Sequence, residues 1–442
     1  MNDNLSGAST RIPWLTGARL TRLDTLLCVV LWLFLAVLVL TSGMANIQTD
    51  AIDYYAIVQR LVGDEPPIVP NLPFVEQRSP GYPLLAMPAA TLLKAASAWI
   101  EPETVRLAPP ADQPAGQPVG EQARPSEQAL LPAQPLRFSQ VFFKNYDLAP
   151  QGGLFRWNII AAMLLTGYAL FFAGLFISGR TLALLYPPPV GYSLPPLLAL
   201  TSVVFMHNLL NTPAYATLTV FGVSAVLTWF WVRGWQGGAA RDQALAGLLA
   251  GLLVLTRLET VVIVAVLLAA LALTRQWRFL RRFVLGGLPA LALLLVYNTT
   301  QFGNPLHAGI LRGNMSIVRF DASYALATLV GPQSGVLVWS ALTSLGIIGL
   351  FASPTPSLKA LGWAALALLA LIALRLPVMY GCVGQGTIAV SGIVIACPPD
   401  NAAMLQLIRF DANRYVIPLA PFAALGLRGL PVQLSHLFRR HP

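Results

Sequence analysis

Two aspartates, Asp50 and Asp53 in Thr49-Asp50-Ala51-Ile52-Asp53-Tyr54-Tyr55, follow directly on the first long apolar run of the chain. Arg78-Ser79-Pro80-Gly81-Tyr82-Pro83 comes shortly after. Carboxylates at this spacing share one face of a helix. At a membrane surface one of them can accept a proton from an attacking hydroxyl or amine, a positioned-base role worth about 10² to 10⁴ in rate. The other then orients the acceptor or binds a cation. The competing reading is structural: Asp50 as N-cap of a short surface helix over Thr49–Gly63, with Gly63 as its stop, stabilises that helix by about 1 kcal/mol.

Four further groups of residues carry chemical potential. Arg78 and Tyr82 flank a Pro- and Gly-bearing turn that either gives a rigid entry to the next apolar segment or turns both side chains toward the acidic pair. Arg257 and Glu259 lie deep in an apolar stretch, where ionised side chains are costly. They face a cavity and hold a phosphate, or they mark a turn between two half-helices. His307 closes the turn-rich stretch Tyr297–His307 and either binds or shuttles a proton there, or is an ordinary loop residue. Arg414 and Tyr415 precede the last apolar segment; the guanidinium suits bidentate phosphate binding or simple interfacial anchoring.

The elements that must position these groups are membrane helices. The 442 residues are 56% hydrophobic and 10% charged, with mean hydropathy +0.66, far from the roughly 25% charge of soluble domains. The net charge of +10 does not imply nucleic acid, because the arginines sit at the ends of apolar segments, as in Arg275, Arg278, Arg281 and Arg282. Leu26–Leu40 is wholly apolar and, with its flanks, long enough to cross the hydrocarbon layer. A cleaved signal peptide, with Arg11, Arg19 and Arg22 ahead of the run, is the weaker reading, since the run is long and no clear small-x-small site follows it.

The pattern predicts an all-α polytopic protein of about 10–11 transmembrane helices with a helical first external loop. Its order is a cytoplasmic tail (1–23), a first transmembrane helix (24–43), an external loop (44–78) and a second transmembrane segment (79–99). A Pro-rich, partly disordered insert (100–154) whose side the charges leave open, transmembrane helices over 155–298, an external loop (299–333), helices over 334–377, a second external loop (378–412) and a final helix with a tail (413–442) complete it. Within this plan 243–274 is one broken crossing, because splitting it would put the arginine cluster outside. Cys382 and Cys397 flank an external Gly- and Val-rich loop where a disulfide is possible. No Walker loop, dinucleotide fingerprint, HExxH or Gly-x-Ser-x-Gly occurs. No metal cluster is assigned, although the acidic pair leaves a divalent cation open.

Several stretches together resemble the GT-C membrane glycosyltransferases, the superfamily of protein O-mannosyltransferases and lipid A aminoarabinose transferases. They are Asp50-Ala51 followed by Tyr54, Leu61 and Gly63; Pro80-Gly81-Tyr82-Pro83-Leu84-Leu85; Thr256-Arg257-Leu258-Glu259; Phe302-Gly303-Asn304-Pro305; Gly331–Leu337; and Arg414-Tyr415 before Pro418 and Pro421. The resemblance implies a GT-C-like fold and a polyprenyl-phosphate sugar donor. It implies inverting transfer to a lipid, glycan or protein acceptor on the extracytoplasmic face of a plasma membrane, bacterial by its modest length. It also implies an acidic base in the first external loop, best matched by Asp50 and then by Asp53, with Tyr54, Arg78, Tyr82, Arg257, Glu259, His307, Arg414 and Tyr415 as substrate-binding candidates. The chain departs from the pattern at Leu258, where a proline is usual, and in its Pro-rich insert. A non-enzymatic flippase for lipid-linked glycans is the alternative, with Arg257 and Glu259 lining its pathway.

Overall fold

In a computed structural model of the chain, the residues described are Leu26, Val30, 50–63, 78–100, 157–186, 207–209, 216–306, 322–332, 335–375, 387–390, 393–396 and 414–439. The helices are α1 (Asp50–Leu61), α2 (Gly81–Ile100), α3 (Trp157–Leu185), α4 (Ala216–Trp235), α5 (Ala240–Thr256) and α6 (Val261–Leu273). They continue with α7 (Trp277–Phe302), α8 (Ala322–Val330), α9 (Ala341–Ala352), α10 (Pro356–Arg375) and α11 (Ala420–Arg439). Among the described residues four helices are long and apolar enough to cross a membrane: Asn158–Leu185, Ala216–Trp235, Trp277–Phe302 and Pro356–Leu374. This architecture is consistent with a helical membrane protein. Its departure from all-α, among the described residues, is one antiparallel hairpin, β1 (Thr387–Val390) on β2 (Ile393–Ala396), in register from Thr387↔Ala396 to Val390↔Ile393. These strands are rich in β-branched residues, as pleated pairing favours. Cys382 and Cys397, on either side of the hairpin, lie outside the described residues, as does the insert.

Local sequence sets the ends of α1. Both aspartates fall in its first turn, at the positive end of the helix dipole, and Arg60 falls in its last. Gly63 then takes φ +69°, where its N–H donates to the Arg60 carbonyl, a left-handed stop that costs a glycine nothing. α7 ends the same way at Gly303, φ +69°.

The stretch predicted as one broken crossing is instead a reversal. Arg282 donates to Gln243 Oε1 at 2.8 Å; Gly247 lies on the backbone of Phe283, and Gly251 on the Ala290 methyl. Positions rise together along both helices, so α5 and α7 run parallel, and α6 between them must return. The turnaround is the single 3₁₀ turn Leu258–Thr260, entered from Arg257 in extended backbone (φ −149°, ψ 115°). Chain direction is restored at Arg275 (φ +57°), after which Gln276 donates to Leu271 at 2.8 Å. Arg257 and Glu259 therefore sit at the tip of a helical hairpin.

The bundle has two chemically distinct ends. At the end away from this tip, Trp231 packs on Trp235, Phe279 and Phe283, and its indole N–H donates to Ser357 at 3.2 Å. Asp242, 1% exposed, is held there by Arg233 at 3.1 Å, and the exposed Arg275, Arg278 and Arg281 lie just beyond. We call this the basic end.

Close helix pairs use glycine and alanine where backbones meet. Gly174 of α3 faces Gly222 of α4, Gly286 of α7 faces the backbone of Ala244, and Gly346 and Gly349 of α9 face Ala423 and Gly426 of α11. Such small-residue seams let membrane helices approach when apolar burial alone gives little drive.

α2 has the length of a span and runs unbroken through Pro88, but it carries Lys94 and is not among the four qualifying helices. It pairs with α1 along its length: Tyr82 stacks edge-on against Tyr54 at 5.4 Å, and Lys94 donates to the Val62 carbonyl at 2.9 Å. α1 in turn packs Ala56 and Ile57 on Tyr297, with Phe302 beside them, near the far end of α7. The first turns of α3 belong to the same end, since the Tyr82 hydroxyl donates to the Met163 carbonyl at 2.8 Å.

Candidate functional site

Three segments distant in sequence meet around the hairpin tip. The first is the pair α1–α2. Asp53, 4% exposed, accepts from Arg78 Nε at 2.7 Å, so the carboxylate of α1 is tied to the turn that opens α2. A buried carboxylate requires such a partner, because an unpaired charge out of water is strongly disfavoured.

That turn is fastened to the second segment, the tip. Ser79 Oγ accepts from the Leu258 N–H at 3.2 Å. Gly81 rests directly on the backbone of Leu255 and Thr256. A side chain at residue 81 would occupy space already filled by the last turn of α5. The glycine, which the sequence suggests as a turn former, is needed here for close approach.

The third segment leads into α11. Tyr415 is buried at 6% exposure, and the Arg257 guanidinium lies over its ring at 4.2 Å. The Arg414 guanidinium lies 5.5 Å from the same ring. The following 3₁₀ turn Ile417–Leu419, with Pro418 in its first positions, is bound to α4 through Ser224 Oγ, which donates to the Pro418 carbonyl at 2.5 Å. Arg257 also faces Glu259 at 3.6 Å, with 11% and 12% of their side chains exposed.

Arg78, Arg257 and Arg414 thus stand with Asp53 and Glu259 at one end of the bundle. A guanidinium stacked on an aromatic ring keeps its edge N–H groups available for planar anions. Two such groups on one ring can grip a phosphate. Carboxylates at the start of α1, one of them secured by Arg78, can orient or deprotonate a nucleophile.

The remaining predicted residues fall elsewhere. Tyr82 is fully buried and bonded to Met163; burial, with the Tyr54 and Tyr168 phenols adding to it, pushes its hydroxyl well above the ordinary value of 10.0. It is a structural donor, not a cavity group. Tyr54, 7% exposed, packs on it. Asp50 begins α1, its side chain lying outside the described residues, and His307 lies outside them entirely. Among the described residues no group of three or more His, Cys, Asp or Glu gathers as metal ligands. Ser79 is the contributor that sequence reasoning did not single out. Its signal is a small hydroxyl residue beside Arg78, too common to stand out alone.

No known protein family matches this chain, and no curated protein or solved structure matches it either.

Proposed function

We propose that this chain is an integral membrane glycosyltransferase that moves a sugar from a polyprenyl-phosphate donor to a hydroxyl or amine acceptor on the extracytoplasmic face of a plasma membrane, bacterial in type. One observation carries the reading. Asp53 and Arg78, the Arg257–Glu259 tip, and Arg414–Tyr415, three segments far apart in the chain, converge at one end of the bundle. Those are the stretches that resemble GT-C enzymes.

The positive-inside tendency supports the sidedness: the basic end faces the cytoplasm, and the site faces outward. On this reading α1 and α2 lie together at the outer surface. Arg257 and Arg414 hold the lipid phosphate, and Arg78 fixes Asp53. The acceptor oxygen or nitrogen attacks the anomeric carbon from the face opposite the phosphate; that bond forms as the bond from carbon to phosphate oxygen breaks, with inversion. The acceptor proton passes to Asp50, with Asp53 as the second candidate base. The lipid phosphate leaves as an anion neutralised by the guanidinium groups, so neither protonation of the leaving group nor a covalent enzyme intermediate is required.

The test uses purified full-length protein in nanodiscs with radiolabelled polyprenyl-phosphate sugars and membrane extract as acceptor source. Extract-dependent transfer that vanishes in Asp50→Asn, or in Asp53→Asn, supports the mechanism. Specific donor binding without sugar release, together with movement of the lipid between leaflets, would make the chain a flippase instead.

A further inference from the structure

We propose that α7 carries a binding face for an anionic membrane phospholipid at the basic end, opposite the candidate active site. α7 is the least covered of the qualifying helices: 17% of its most apolar window is buried, against 61% to 78% in the other three. Its packed side is narrow. Phe279, Phe283 and Ala290 turn inward, and a residue three, four or seven places away along a helix shares a face with its neighbour.

Arg278, Arg281, Leu285 and Leu288 follow that spacing on the other side, and all four are exposed. Two guanidinium groups thus head a stripe that becomes purely apolar one turn further on, with Leu285 55% and Leu288 48% exposed. Trp277, 61% exposed, stands at the boundary, the depth that suits an amphipathic indole.

Charge complementarity names the occupant. From Leu273 to Phe302 there is no Asp or Glu. Among the described residues Arg275, Arg278 and Arg281 have no ion-pair partner, whereas Arg282 is engaged by Gln243, and Asp242, the nearby carboxylate, is taken by Arg233 and Arg241. A headgroup bearing net negative charge satisfies the guanidiniums while its acyl chains run down Leu285 and Leu288. A zwitterionic lipid brings its own cation to the same place and gains less. The inference depends on α7 crossing a membrane and is independent of the glycosyltransferase reading.

The test is native mass spectrometry of the full-length protein titrated in detergent with phosphatidylglycerol or phosphatidylcholine of identical acyl chains. Wild type should retain the anionic lipid at least tenfold more strongly. Arg278→Gln/Arg281→Gln should abolish that preference, Arg278→Lys/Arg281→Lys should keep most of it, and Arg60→Gln, an exposed arginine on α1, should leave it intact. Equal retention of both lipids by wild type, or an undiminished preference in the double glutamine variant, would overturn the proposal. So would displacement of the bound lipid by millimolar inorganic phosphate, since a lipid held partly by its chains resists a free anion.

Discussion

Gly81→Ala isolates the contact on which the site's geometry rests. A Cβ at residue 81 would stand 2.6 Å from the Leu255 carbonyl oxygen and nearer still to the Leu255–Thr256 peptide. Ordinary contact needs about 3.5 to 4 Å, so the start of α2 must retreat from the end of α5 by about 1 Å. Overpacking of this kind costs about 1–3 kcal/mol. The functional cost is larger, because a 1 Å misplacement of positioning groups can cost about 10²-fold in rate, and the retreat carries Arg78 and Asp53 away from Arg257. Sugar release from the labelled donor should therefore fall about 100-fold, while thermal unfolding in detergent shifts only modestly. Gly63→Ala is the matched control. Gly63 has φ +69° and nothing within 4 Å of a new methyl group, so that variant pays about 1 kcal/mol of backbone strain and keeps its turnover. Full activity in Gly81→Ala would refute the claim that this contact sets the distance between acceptor and phosphate groups.

The other predictions address single interactions. Arg78→Ala leaves Asp53 buried without its guanidinium; Arg78 is a quarter exposed, so the loss should lie between the surface and fully buried cases, about 2 kcal/mol, read as a lower unfolding temperature. Arg78→Lys should recover only part of it. Tyr82→Phe removes one donor to a helix carbonyl and should cost about 1 kcal/mol with unchanged turnover; a stable Tyr82→Phe protein without activity would return that hydroxyl to the chemistry. Gly286→Leu drives a side chain into the backbone of Ala244 and should separate α5 from α7, destabilising by about 3 kcal/mol or more, measured as lost monodisperse protein after heating. The same change at Gly303, where a Cβ meets no neighbour within 4 Å but φ is +69°, should cost about 1–2 kcal/mol of local backbone strain and leave α5 on α7.

Much of the helical layout could be read from hydropathy, but chain direction could not. The charges Arg257 and Glu259 inside an apolar run mark where the helix breaks, and the structure breaks there. An apolar period says nothing about whether the chain continues or turns back after a break. That depends on which neighbour the next helix meets, and here α7 lies parallel on α5 through Gly247, Gly251 and Gly286. The glycines are visible in the sequence; their partners are not. For α2 the ambiguity is compositional. Its leucines and alanines read as a span, whereas Lys94 and Pro88 matter only once Lys94 is found capping the end of α1. In the site, a turn that aims Arg78 toward the acidic pair is legible in the sequence; that it closes on Asp53 in particular is not. The stacking of Arg257 on Tyr415 joins residues 158 positions apart, a distance at which one sequence carries no pairing signal.

The reversal at Arg257 also bears on how deep the site lies. α5 has 17 residues and rises about 25 Å, whereas α7 has 26 and rises about 39 Å. The two start level, with Gln243 beside Arg282, so the tip stops well short of the far end of α7. The hydrocarbon layer is about 30 Å thick. On the proposed reading, Arg257 and Glu259 therefore stand near the inner edge of the outer interface. Ionised groups there are tolerated far better than at the bilayer centre, and that edge is close to the depth at which a membrane lipid holds its phosphate. By the same register Tyr297 stands about level with Arg257; α1 meets α7 there through Ala56 and Ile57, and the turn that holds Asp53 is fastened to the tip at Ser79 and Leu258. On the proposed reading the tip thus brings a lipid-level cation close to the carboxylate that Arg78 holds. A transferase joining a lipid-borne donor to a water-borne acceptor needs cation and carboxylate together at that edge, whereas a passage for whole lipids would need the charged tip to open toward both leaflets.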